Sequence, residues 1–200
     1  MPPAIASPRY ALSEAALRLL RHAETVLAGT LSDQPPMPRI SATPPGPTTD
    51  PREWRQEASF LRLLSITESY VDALSEEWFS SNVDVSIDIL RRMVVEIDSS
   101  ASRTWRARED AYRFHHDVKL QKCPHYKLLM IAAQVRNCFT HGLGQLTVRQ
   151  LGNSNLVQDV AKLDVSIGNG RMHFGPSTMQ EAARVCRTFV KELDERFHAT

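Results

Sequence analysis

The sequence predicts an all-α protein, an up-and-down bundle of four to five helices with one small β-hairpin inserted before the last helix. Two observations carry this. Apolar residues recur at i, i+3, i+4 along most of the chain, the spacing of amphipathic helices. One segment, about residues 162–175, instead alternates apolar and polar around Gly168-Asn169-Gly170, the pattern of a tight hairpin.

The elements follow in order. Residues 10–28 read as a first amphipathic helix on the stripe Leu12, Ala15, Ala16, Leu19, Leu20, Ala23, Val26 and Leu27, with Ser13 as a cap and Gly29 as a stop. This N-terminal unit, residues 1–31, is expected to be detached from the main domain. It is tethered by residues 32–50, where Pro35, Pro36, Pro38, Pro44, Pro45 and Pro47 crowd together with Ser, Thr and Gly. The main domain is expected over 51–200. Asp50 as N-cap, Pro51 in the first turn and Glu53 as the box partner open a long helix over 51–79. Its apolar stripe runs from Phe60 through Leu63, Leu64, Thr67, Tyr70, Val71 and Leu74 to Trp78. A shorter helix is predicted from Val85 to Asp98, and residues 100–121 read as another.

That segment carries Arg103, Arg106, Arg108, Arg113 and Lys119 interleaved with Trp105, Tyr112 and Phe114. Basic residues mixed with aromatics suit RNA, through phosphate charge and base stacking. Arg103, Arg106 and Arg113 are the candidate RNA contacts; the alternative is a solvated helix face whose aromatics pack inward. Pro124 opens a helix that runs to about His141. A loop through Gly152–Asn155 and the hairpin follow. Ser177 and Gln180 then form a capping box for a last helix that buries Ala182, Val185, Cys186, Phe189, Val190, Leu193 and Phe197.

Composition bounds the function. The 200-residue chain is 42% hydrophobic with a net charge of +1, so nucleic-acid binding has to use a local patch rather than a global field. Three cysteines, odd in number and unpatterned, imply no disulfide framework and a reducing cytoplasm. No signal peptide and no membrane span are expected. The sequence shows no Gly-rich phosphate loop, nucleophile elbow, paired metal-ligand set or tandem repeat, and Cys123 and His125 have no second ligand pair nearby. No metal and no cofactor are therefore expected.

The chemistry concentrates in Gln134–Gly144, reading Gln-Val-Arg-Asn-Cys-Phe-Thr-His-Gly-Leu-Gly. Leu128, Ile131, Ala132, Val135 and Phe139 make the preceding stripe, and Gly142 is the expected stop. Arg136, Asn137 and His141 then fall in the last turns. Asn137 and His141, four apart, share a face, and Arg136, one residue further round, is expected to reach the same edge with its long side chain. Arginine supplies a forked permanent charge that matches phosphate. Histidine exchanges protons near neutral pH, and a helix C-terminus favours a cation.

This segment resembles the signature of the HEPN superfamily of small helical ribonucleases. There Arg, a polar residue that is often Asn, a short spacer and His close a helix, commonly before a glycine-containing turn. Arg136, Asn137 and His141 match those positions. The layout of residues 52–198 is similar to the branch of the RiboL-PSP type, in which a hairpin lies between the motif and the final helix. Gly142 departs from relatives with Asn or Asp after the His. The resemblance implies a metal-independent RNA endonuclease with Arg136, Asn137 and His141 catalytic. It also implies a homodimer through the motif helix, a role as a toxin or anti-phage effector, RNA such as tRNA as substrate, and a protein inhibitor or antitoxin as partner. The alternatives are an inactive HEPN-like interaction module, and an adaptor that uses residues 10–29 and the proline-rich tether.

Overall fold

The structure is a computed structural model of the chain and describes residues 11–32, 51–142 and 144–199. It is mostly helical, with one two-stranded antiparallel hairpin. In chain order the elements are α1 (Ala11–Ser32), α2 (Pro51–Asn82), α3 (Asp88–Ala101), α4 (Trp105–His115) and α5 (Tyr126–Gly142). Then come α6 (Val148–Leu151), α7 (Leu156–Ala161), β1 (Val165–Gly168), β2 (Arg171–Phe174) and α8 (Thr178–His198).

Helices α2 and α8 are the spine. Along α2 the predicted stripe from Phe60 to Leu74 is buried, and Trp78 is half-buried. Along α8, Ala182, Val185, Cys186, Phe189, Val190 and Leu193 are buried against it. Tyr70 of α2 donates to Asp194 Oδ1 of α8 at 3.0 Å, giving the buried hydroxyl a partner. Helix α2 extends to Asn82, three residues beyond the expected end. Its predicted cap Asp50, like the proline-rich tether, lies outside the described residues, while Pro51 holds the first helical position.

The first helix is not detached. Ala16, Leu20 and Ala23 join the same core as α2 and α8, and Glu24 pairs with Arg187 of α8. Leu12, Ala16, Leu20 and Ala23 of the predicted stripe therefore face the body of the protein, whereas Leu19 is exposed. Ser13 lies within the helix and is buried rather than capping it, and the helix passes through Gly29 to Ser32.

The segment 100–121 is not one helix. Helix α3 runs three residues later than predicted, to Ala101, and α4 restarts at Trp105 under Thr104, whose side chain accepts from Ala107 N. After His115 the chain turns through Asp117, with φ of 53°, into a 3-10 turn at Leu120–Lys122. The break rotates α4 so that Arg108 points inward. It forms two bonds of 2.7 Å with the Asp72 carboxylate on α2. Tyr112 OH donates to Val71 O at 2.6 Å beside it.

The hairpin forms as predicted. Val165 pairs with Phe174, and Gly168 with Arg171. Asn169 and Gly170 both take positive φ, 52° and 71°, as a two-residue type I′ turn requires. The loop expected at residues 152–155 is present, flanked by two short helices, α6 and α7, that the sequence does not predict. Ser177 does precede α8, but the capping box is absent. Ser177 N and Oγ instead donate to Asp164 Oδ2, both at 2.8 Å.

His116 ends this framework. Its Nε2 lies 2.8 Å from Ser75 Oγ, Tyr112, Trp78, Phe79 and Phe197 surround the ring, and burial, with His115 adding repulsion, pushes its pKa down to about 4. The native ring stays neutral where the unfolded chain takes up a proton, so stability falls as pH drops from about 6.5 towards 4. A loss of about 2 kcal/mol across that window is expected in denaturant titrations, and His116→Gln should flatten it.

Candidate functional site

The C-terminal half of α5 is anchored on its inner side. Leu129, Ala132, Val135, Cys138 and Phe139 are buried. The ring of Phe139 packs, tilted by 46°, against Phe174 of β2 with centroids 4.6 Å apart, and Phe174 in turn meets Phe60 of α2 at 5.2 Å. The hairpin thereby fixes the end of α5 against α2.

The stop is at Gly144 rather than Gly142. Gly142 is the last helical residue, whereas Gly144 has φ of 84° and its N–H donates to Cys138 O at 3.2 Å. Gly144 O accepts from Met172 N at 2.9 Å, and Leu146 N donates to Gly170 O at 2.8 Å. The chain leaving the motif thus runs along β2 as an added edge. A Cβ on Gly144 would sit 3.1 Å from Phe139 Cε1 in a conformation that side chains rarely adopt. Gly144→Ala is expected to cost about 1–3 kcal/mol, read as a lowered denaturation midpoint.

On this frame the structure brings Asn137 and His141 together on one solvent-facing side of α5, both exposed. Arg136 is turned away from them. Five residues along a helix is about 140° of rotation from Arg136 to His141. The Arg136 side chain, 28% exposed, donates through Nη2 to Glu68 of α2. Its Nε is buried with no partner among the described residues. The expected sharing of one edge by all three side chains is therefore replaced by two adjacent sides of one helix end.

Sequence reading missed two groups here. Glu68 is one, a carboxylate 68 positions from its arginine; Thr67 beside it belongs to the core stripe, so nothing local marks it. Arg171 on β2 is the other. Its Nη2 would lie 3.4 Å from a Cβ on Gly144, so a second guanidinium borders the motif turn.

The candidate RNA contacts divide. Arg103 is exposed in the turn between α3 and α4. Arg106 is exposed on α4. Arg113 is also on α4, paired with Asp110 at 2.8 Å and lying 4.4 Å over the Phe114 ring. Cys123, Cys138 and Cys186 are buried free thiols, and burial raises Cys123 to about 11 and Cys186 to about 12, far from thiolate chemistry. Among the described residues no group of three His, Cys, Asp or Glu is placed to hold a metal ion. Nor is any described helix long and apolar enough to cross a membrane.

No protein-family model, curated protein or solved structure matches the chain.

Proposed function

We propose that the chain is a metal-independent RNA endonuclease of the HEPN type, acting as a homodimer through α5. The observation that carries this is the pair Asn137 and His141, exposed on one side of the docked end of α5, with Arg136 held by Glu68 on the adjacent side of the same helix end. In the reaction the RNA 2′-oxygen attacks the adjacent phosphorus. The 2′-oxygen loses its proton as the new P–O bond forms. The P–O5′ bond breaks, and the 5′-oxygen takes up a proton. The products are a 2′,3′-cyclic phosphate and a 5′-hydroxyl. His141 moves one of these protons, and a second copy of the chain supplies another imidazole for the other. Arg136 stabilises the charge that develops on the phosphate oxygens, and Asn137 positions the reacting groups. A toxin or anti-phage role, with tRNA as a substrate and a protein antitoxin as partner, fits this activity.

The test uses one short RNA and the same sequence with 2′-O-methyl groups throughout. Cleavage of the first and not the second, unchanged by a chelator, is expected. Cleavage of both, or loss of cleavage on chelation, would contradict the mechanism. One observation favours the inactive interaction module instead. The Arg136 guanidinium is already engaged by Glu68, as in a purely structural ion pair.

A further inference from the structure

No residue of α3 is buried. The helix packs on α2 and α4 with Leu90, Val94, Ile97 and Ala101 half-buried. Its apolar side is wider than this contact. Ile89 and Met93 are 66% and 53% exposed, and Val85 and Ile87 are exposed just ahead of the first turn. Ile89, Met93 and Ile97 follow one another at steps of four residues, so they form one ridge about 12 Å long. Only its last member, Ile97, is half-covered by the body of the protein. The ridge is therefore an apolar surface that the fold leaves open.

The charges beside the ridge have opposite signs. Arg92 and Glu96, four residues apart, lie within about 60° of Ile89 around the helix, and both are exposed. Arg92 pairs with Asp88 one turn earlier. Glu96 has no ion-pair partner among the described residues. Turned end for end, the same helix presents the same ridge with the order of the two signs reversed. A two-fold axis at Met93 places Ile89 against Ile97 of a second copy. The axis brings like flank to like flank, so Arg92 comes within about 3 Å, measured along the helix, of Glu96 of the second copy. The surface is thus complementary to itself in both shape and charge.

We propose that α3 is a self-association surface, on which a second copy of this chain docks its own α3 antiparallel. The contact is separate from the dimer through α5 and does not depend on the ribonuclease reading. RNA is a poor occupant, because the ridge is apolar and Asp88, Glu96 and Asp98 outnumber Arg91 and Arg92 on the helix. Size sets the strength. The 14 residues of α3 span about 21 Å, and one helix face of that length falls short of the about 800 Å² per partner of a standard stable interface. The association is therefore weak and concentration-dependent. Together with a dimer through α5, it links dimers into larger assemblies.

The experiment is sedimentation velocity of the full chain over a wide range of concentration. The average mass of the wild type is expected to rise across the range beyond that of Met93→Glu, which places a charge from each copy on the two-fold axis. Arg92→Glu and Glu96→Arg should each weaken association about tenfold, because a two-fold contact feels each substitution twice. The double variant should recover it, which a role confined to one helix would not produce. All three positions are exposed, so each variant should keep the wild-type thermal midpoint. Equal masses for the wild type and Met93→Glu at every concentration would overturn self-association and leave the ridge to a foreign partner. Single-charge variants that the double variant does not rescue would overturn the antiparallel pairing. Mass lost in Met93→Glu without RNA cleavage by the wild type would keep the α3 contact and remove the ribonuclease; cleavage with no effect of Met93→Glu on mass would do the reverse.

Discussion

His141→Ala is expected to lower RNA cleavage by about a thousandfold while leaving the fold intact. The magnitude is that of losing one positioned proton-transfer group, about 10²–10⁴. The structural half of the expectation follows from exposure. His141 faces solvent in the last turn of α5, and the helix is held by Phe139, Val135 and Cys138 on the other side. Thermal unfolding should therefore be unchanged within about 0.5 kcal/mol. A variant that loses activity together with its midpoint would instead place His141 among the structural residues. Gln at this position, which cannot exchange protons, should be as inactive as Ala.

The second large effect is on stability. Asp72→Asn should cost about 3 kcal/mol, or roughly 6–12 °C in midpoint for a chain of this size. Arg108 is only 7% exposed and makes two charge-assisted bonds to Asp72. Removing that charge strands a guanidinium that cannot be deprotonated. The neighbouring Glu68 and the Trp105 ring, 5.3 Å from the guanidinium carbon, keep the loss below the upper end for buried pairs. Asp88→Asn is the control. Its bonds to Arg91 and Arg92 are as short, but all three side chains are more than half exposed, so the change should be within about 0.5 kcal/mol.

Arg108 also shows where sequence reading stops. Five basic residues over 100–121 looked like one surface, because charge is usually solvated. One of them is the most buried cation in that stretch, and its partner lies 36 positions earlier on another helix. The break at Thr104 that turns it inward has only a cap residue as its local sign. By contrast, the hairpin was legible, expected over about residues 162–175 and found over Val165–Phe174 with its turn where predicted. Period-two alternation and Asn169-Gly170 each admit few conformations. The stripes of α2 and α8 were legible because long helices repeat the signal over many turns. Helices α6 and α7, four and six residues long, repeat it too few times to register. At the candidate site, the sequence placed Asn137 and His141 on one face by spacing alone. Arg136, expected to reach the same edge, lies about 140° round the helix from His141 and pairs with Glu68, a partner on another helix that no local signal marks.

The most direct measurement is cleavage of total tRNA and a mixed RNA pool by the purified chain in EDTA, with chemical identification of the product ends. The account predicts cleavage that leaves 2′,3′-cyclic phosphate and 5′-hydroxyl ends. Ends carrying a 5′-phosphate, or no cleavage by a folded dimer, would contradict it.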